Sequence, residues 1–523
     1  MELSSPRGEF QNEPFTDFSQ SENRESMQRA LADVQVQLGQ SYDIVIAGQH
    51  LRTQATFASL SPGDPRRVVG VFPKGTPELA DRAVRAAHQA FEAWKRTPPP
   101  QRSAYLFQAA AAMRRRRHEF SAFMVYEVGK TWPEADADTA EAIDFLEFYA
   151  RESLRYAGPH PITAVAGEKN ALVYLPLGVG IVIPPWNFPL AILVGMTSAA
   201  IVTGNTVVLK PSSDAPTIAA QFVRLMESLG LPAGVLNFLP GGGAEVGDTL
   251  VAHPLTRFVA FTGSKAVGLH INELAAKPQP GQRWIKRVVA EMGGKDAIIV
   301  DRDTDLDEAA AGVVASAYGF QGQKCSACSR AIVDAQVYDA FVERLKQRVD
   351  ALRVGPPEDP QSQVGPVINE KAMRSIQEYI ESGRQQARLL AGGEPAKQAH
   401  GFFLQPTVFV DVDPQARISQ EEIFGPVLAV TRARDFDDAL RIANDTEYGL
   451  TGAVYTRDAS KLERARQEFF VGNLYLNRKC TGAMVGGHPF GGFNMSGTDS
   501  KAGGRDYLLL FLQGQSIAEK VRA

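Results

Sequence analysis

The sequence predicts an α/β protein built from two doubly wound parallel-sheet domains, with a small oligomerisation strand region beside them. Three observations predict it. A chain of 523 residues exceeds what one hydrophobic core usually organises. Between 177 and 289 strand-like and helix-like segments alternate, which implies a parallel sheet covered by helices on both faces. A second alternating set begins near Val288 and runs to about Phe490, and the cleft between two such units is the natural ligand site.

Taken in order, residues 1–40 form a polar, loosely ordered arm with neither the apolar run of a secretory leader nor the acid-poor character of a transit peptide. From Ser41 to Phe72 the chain reads as short strands, with DIVIAG and VVGVF as candidates. Pro77–Lys95 and Pro100–Arg117 carry apolar residues every three or four positions and predict amphipathic helices. The run Arg114–Arg117 then reads as a solvated helix end, where cations suit the dipole, and not as a nucleic-acid patch. A helix follows Pro133 to about Tyr156, and Asn170–Leu175 is strand-like.

Ala171–Leu209 contains no Asp, Glu, Lys or Arg and has the length to cross a bilayer. Pro184, Pro185 and Pro189, with glycines at 178, 180, 195 and 204, would break such a helix repeatedly. Buried strand, loop and buried helix fit better, so no membrane partner is expected. Then come LGVGIVI, a helix from Leu190, NTVVLK, a helix from Pro216, GVLNFLP, a helix from Ala244, RFVAFTG and a helix from Lys265. This is a doubly wound unit of the nucleotide-binding type. The second set opens with VVAEMGG and AIIV and continues through a helix over Leu306–Phe320. Tyr507–Ser516 is apolar and strand-like and could add an edge strand to another subunit. The boundaries that follow are an arm at 1–40, a first domain at 41–157 and 177–289, a second at 290–492, and an oligomerisation region at 158–176 and 493–523.

A net charge of -4 gives no electrostatic reason to expect nucleic acid, and a small-molecule substrate is expected instead. Only Cys325, Cys328 and Cys480 occur, too few for a disulfide framework and suited to a reducing compartment.

Cys325 lies in GFQGQKCSACSR, a loop setting accessible enough for a reactive thiol. With Cys328 it forms C-x-x-C, a redox pair or half of a zinc site, but no second pair or histidine stands at ligand spacing, so no metal is expected. DRDTDLDE superficially resembles a calcium loop, yet it would place Glu308 where glycine is needed and Val314 where a bidentate Glu is needed. Helix N-capping explains these acids better. Glu291, at the end of the apolar run VVAEMGGK, suits a general base if burial raises its pKa. A helix cap or a partner for Lys295 is the competing role. Asn187, among the prolines of PPWNFP, could donate to an oxyanion or simply occupy a turn. FTGSKAVG puts a glycine turn between a strand and a helix, where amides can meet a phosphate, although G-x-G-x-x-G spacing is missing.

In chain order PPWNFP, VVLKPSS, FTGS, EMGGK, GQKC, EEIFGPV and PFGG together resemble the aldehyde dehydrogenase superfamily from Asp43 to Phe511. The resemblance implies a Rossmann-like NAD-binding first domain and a catalytic second one. It implies that Cys325 attacks an aldehyde, that Asn187 and the Cys325 N–H stabilise the oxyanion, and that Glu291 activates the water that frees a carboxylic acid. Lys210 maps onto the adenosine ribose, the turn Phe261, Thr262, Gly263 and Ser264 onto the pyrophosphate, and Glu422 onto the nicotinamide ribose, with Phe424 near that ring. Ile183, Pro184, Trp186 and Gly243 complete the implied cofactor site. Ser213 stands where many NAD-preferring members carry Glu, so some use of NADP is implied.

NRKCTGAMVGGHPFGGFNMSGTDSKAGG, from Asn477 to Gly504, together with QKCSACSR, resembles the 1-pyrroline-5-carboxylate dehydrogenase branch, which oxidises glutamate γ-semialdehyde during proline breakdown. That implies main-chain anchoring of the substrate by Thr481, Gly482 and Ala483, aided by Ser326 and Lys324, with Phe188 and Phe490 beside its stem. Glu141 could meet the substrate's ammonium or be a solvated helix glutamate. Another semialdehyde dehydrogenase, or a non-catalytic nucleotide-binding scaffold, is the alternative. The family also implies a homodimer or an assembly of dimers, and the missing transit peptide points to the cytoplasm.

Overall fold

The computed structural model describes residues 8–398 and 400–521. Its two large sheets have seven strands each. In the first, Arg287–Glu291, Thr256–Thr262, Val179–Ile183, Thr206–Leu209 and Leu236–Phe238 lie side by side and parallel. The hairpin Ile44–Ile46 and Gln49–Leu51 extends the far edge antiparallel. Val179–Ile183 is central and its two sheet neighbours come later in the chain on opposite sides. Strand order therefore reverses at its carboxyl end, where a crevice opens and PPWN begins.

The second sheet runs Arg388–Ala391, Thr407–Val410, Val427–Ala433, Cys328–Asp334, Asp296–Val300, Thr451–Tyr455 and Asn473–Leu476. All neighbours are parallel except the first pair. Its own reversal lies at Asp296–Val300, which follows Glu291 after a four-residue turn. EMGGK thus joins the edge of one sheet to the centre of the other.

Helix ends follow capping chemistry. Asp305 accepts from the N–H groups of Asp307 and Glu308, so the acids of DRDTDLDE do start a helix, Leu306–Tyr318. Thr76 caps Pro77–Trp94, which buries Ala80, Ala83, Val84 and Ala87 on one face. Ala191–Val202 is apolar all round because it is buried all round. Among the described residues no helix is long and apolar enough to cross a membrane.

Four expectations are corrected. The arm is not loose: Ser21–Gln35 is a helix that buries Met27, Leu31 and Val34, and residues 10–18 are pinned by carboxylates further along the chain, as described below. Residues 1–7 of that arm lie outside the described residues. Arg114–Arg117 is not one solvated helix end, since the helix stops at Arg115 and Arg117 opens the next, bonded through two nitrogens to the buried Asp136. The helix expected from Ala244 begins as a single wide turn, Gly243–Gly247, before Asp248–Ala252. Tyr507–Phe511 is a 3-10 turn, because Tyr507, Leu508 and Phe511 bury against the first sheet. Only Leu512–Lys520 is a strand, paired antiparallel with Glu168–Pro176.

Candidate active site

Cys325 follows a tight turn in which Phe320, Gln321 and Gly322 all have left-handed backbones, with φ of 48°, 57° and 68°. Two non-glycine residues there store strain that the surroundings must hold. Gln321 does so by donating to Pro366 O at 2.7 Å and accepting from Gly365 N at 3.0 Å. Gly322 cannot be larger, since a Cβ would stand 2.3 Å from Gly425 O. The turn delivers the Cys325 side chain to a cavity of about 550 Å³. Cys328 points the other way into the second core, and all three cysteines are free. Among the described residues no cluster of His, Cys, Asp and Glu could hold a metal.

Burial and the carboxylates of Asp296, Glu422 and Glu291 push the Cys325 thiol well above its ordinary value. The protonated thiol is therefore the resting form. Glu291 lines the same space and neither caps a helix nor pairs with Lys295. It accepts from Ser500 Oγ at 2.6 Å, Ser500 N at 3.2 Å and Gly492 N at 3.1 Å. Burial outweighs these bonds and pushes its carboxyl up to about 7.

Asn187 is 4% exposed and donates one amide hydrogen to Gln323 O at 3.0 Å. Its second amide hydrogen is uncommitted, and among the described residues the Cys325 N–H meets no acceptor. Gln323 is two residues before Cys325, so the Asn187 amide is tied to the loop that carries the thiol, although Asn187 is not among the residues lining the cavity. EMGGK has its glycines for a spatial reason. A Cβ on Gly294 would stand 2.3 Å from Cys325 O, and one on Gly293 would stand 2.1 Å from Glu422 Oε2.

On the nucleotide side, Lys210 is buried and, among the described residues, has only Pro211 O, 3.4 Å away, as acceptor. Burial pulls its ammonium down to about 8. A buried ammonium without a carboxylate suits ribose hydroxyls. Ser264 caps Lys265–Ala276, so the Phe261–Ser264 turn stands at a helix N-terminus as a pyrophosphate requires. Gly243 has open space around it, and Ser213 is exposed with no acid at that position. Glu422 accepts from Gly294 N at 3.1 Å, and burial pushes it up to about 7. Trp186 meets Phe424 edge-on at 5.4 Å, and Ile183 and Pro184 end the central strand behind it. These residues fit a dinucleotide lying across the crevice.

The cavity lining also carries charge. Glu141 is part of it and is no solvated helix glutamate; burial, then Asp138, push its carboxyl up to about 8. Lys324 is paired with Glu134 Oε2 at 2.7 Å, so its charge is shared with that carboxylate. Burial raises Glu134, but Lys324 and Lys130 outweigh it and hold the group below its ordinary value. Lys130 makes a fully buried pair with Asp138 at 2.8 Å and sits 4.0 Å over the Phe188 ring. Phe188, Ser326 and Phe490 line the same space. Arg478 grips the carbonyls of Thr481 and Gly482 at 3.2 and 3.1 Å. Among the described residues the N–H groups of Gly482 and Ala483 meet no acceptor. Glu134, Lys130, Asp138, Arg478 and Ser500 were not expected from the sequence; Glu134 and Ser500 meet partners 190 and 209 positions away, whereas Lys130, Asp138 and Arg478 have near partners but belong to no motif that singles them out.

Residues 50–517 match the model of the aldehyde dehydrogenase family. The chain belongs to that family. Among aldehyde dehydrogenases, it is 57% identical over 510 residues to the 1-pyrroline-5-carboxylate dehydrogenase of Geobacillus thermodenitrificans (strain NG80-2), covering 98% of this chain and 99% of the relative. The corresponding protein of Bacillus subtilis (strain 168) is 56% identical over the same shares. A solved 1-pyrroline-5-carboxylate dehydrogenase from Thermus with bound NAD superposes with a TM-score of 0.97 at 50% identity, covering 98% of this chain and 99% of that one. The family fold expected from the motifs is therefore present.

Proposed function

We propose that this aldehyde dehydrogenase oxidises L-glutamate γ-semialdehyde, the ring-opened form of 1-pyrroline-5-carboxylate, to L-glutamate with NAD during proline breakdown. One observation carries it. The cavity that holds the Cys325 thiol also carries groups complementary to an amino acid: free amides at Gly482 and Ala483 for the carboxylate and Glu141 for the ammonium. Lys324, Glu134 and Lys130 set the field around that head group, and Phe188 and Phe490 flank the stem.

Cys325 Sγ, having lost its proton to solvent, attacks the aldehyde carbon as the thiolate. The Asn187 amide and the Cys325 N–H stabilise the oxyanion of the thiohemiacetal. NAD, when bound, supplies the hydride acceptor. Lys210, the Phe261–Ser264 turn and Glu422 hold it, with Trp186 and Phe424 around the ring. Glu291 then deprotonates the water that hydrolyses the Cys325 thioester, giving the carboxylic acid and restoring the thiol.

The exposed ribbon of Glu168–Pro176 and Leu512–Lys520 joins the chain to a second copy, as a homodimer or an assembly of dimers. Three free thiols suit the cytoplasm. A substrate panel of glutamate semialdehyde, succinate semialdehyde and alkyl aldehydes tests the activity. Two charge-assisted contacts to the head group favour glutamate semialdehyde by about tenfold or more in kcat/KM. Equal turnover of all three would refute the assignment.

A further inference from the structure

The cavity wall is completed by a segment from the other end of the chain. Phe15 and Thr16 line the same space as Cys325, Glu141 and the loop of residues 481–485. They are fixed to the helix Trp132–Arg155 by two buried carboxylates. Thr16 donates to Asp136 through its N–H at 2.7 Å and its hydroxyl at 2.6 Å. Glu13 N donates to Asp144 Oδ1 at 2.6 Å. Asp136 and Asp144 are 1% and 4% exposed, so these bonds are desolvated and strong.

Asn12 stands beside the second attachment. Its amide nitrogen donates to Asp144 Oδ2 at 2.8 Å and to Val485 O at 3.0 Å. Val485 is two residues beyond Ala483, so Asn12 ties the head-group loop to the helix that carries Glu141. Phe10 packs beside the same loop, edge-on to Phe148 at 5.1 Å, and a Cβ on Gly486 would stand 3.2 Å from both rings. At its other end the loop is held by Arg478, through the Thr481 and Gly482 carbonyls. The amides that face the cavity are therefore clamped from both sides, once from within the second domain and once by the arm.

We propose that Asn12 is a positioning residue for the amino-acid head group, and that segment 10–16 is the outer wall that makes the enzyme specific for substrates bearing one. The segment touches the loop and the helix proposed to receive the head group, and among the described residues no hydrogen bond joins it to Cys325, Glu291 or Asn187. Loosening it should cost head-group binding and leave the reaction at the thiol intact.

This rests on the activity proposed above, so the experiment measures wild type, Asn12→Ala and a deletion of residues 1–16 with two substrates. Glutamate semialdehyde carries the head group and propanal does not. For Asn12→Ala the KM for glutamate semialdehyde should rise about fivefold to tenfold, as expected for one or two lost hydrogen bonds. Its kcat, and kcat/KM for propanal, should stay within about twofold. The deletion should raise that KM further, with the propanal values again held. Parallel loss with both substrates, or an unchanged KM for glutamate semialdehyde in both variants, would overturn the role of the arm. A wild-type enzyme with no preference for glutamate semialdehyde over propanal would instead overturn the substrate assignment beneath it.

Discussion

Replacing Glu291 by Gln should separate the two halves of the reaction. The carboxyl is 8% exposed and burial holds it at about 7 against an ordinary 4.5. That rise is worth about 3 kcal/mol at about pH 8, where the wild type must keep a charge in a poorly solvated site. Folding raises this pKa, so its contribution to stability is full below about 4.5 and is lost as pH climbs through about 7. Gln escapes the penalty, but its amide hydrogens face donors from Ser500 and Gly492, which returns about 1–2 kcal/mol. The variant should be about 1–2 kcal/mol more stable at about pH 8 and show no such gain at about pH 5. Loss of a general base costs about 10²–10⁴ in rate. Hydride release precedes the step that needs the base. Rapid mixing with NAD and aldehyde should therefore give a burst of about one NADH per subunit, followed by a steady state slower by that factor. The wild-type steady-state rate should also rise as pH passes through about 7, an inflection the variant lacks. A variant with no burst, or with an undiminished steady state, would refute the assignment of Glu291 to deacylation.

Cys325→Ala should abolish NADH formation with every aldehyde while NAD binding, followed by fluorescence, stays unchanged; persistent turnover would rule out a covalent thioester. Ser213→Glu places a carboxylate on an exposed position without one, and should lower kcat/KM for NADP by about tenfold or more while NAD changes little. Equal effects on both cofactors would remove Ser213 from the ribose site. Gly293→Ala puts a Cβ 2.1 Å from Glu422 Oε2; the carboxylate must swing, and the KM for NAD should rise about tenfold in a protein with unaltered circular dichroism. Truncation of residues 512–523 removes the nine-residue strand Leu512–Lys520, and light scattering should show the assembly reduced in order.

Much of the fold was legible because its signals are local. Strand and helix alternation, prolines at 184, 185 and 189, and capping acids such as Asp305 each act within a few residues. The catalytic trio was legible only through the order of seven short motifs, since Cys325, Glu291 and Asn187 are ambiguous singly. What stayed hidden depends on pairs far apart in the chain. Ser500 reaches Glu291 across 209 positions, Lys324 meets Glu134 across 190, and Asn12 meets Val485 across 473. Nothing in a polar stretch such as EFQNEPFTDF announces that it will be latched by buried aspartates. Tyr507–Phe511 failed for a related reason: an apolar run reads the same whether it extends as an edge or folds back as a turn into a core.

The segment Glu291–Lys295 shows why the two domains cannot be understood apart. Its first residue is the proposed base, and its glycines admit the Cys325 carbonyl and the Glu422 carboxylate. It also links the edge of the nucleotide sheet to the central strand of the other. A shift of about one ångström in this turn would move base, thiol and ribose anchor together, and misplacement of that size can cost about a hundredfold in rate. The head-group contacts proposed above come from other elements, the loop at 481–483 and the helix bearing Glu141. On that reading chemistry and recognition are carried by separate elements of one cavity. Substitutions near Gly293 should therefore impair every aldehyde alike, whereas substitutions in the head-group end should change which aldehyde is preferred.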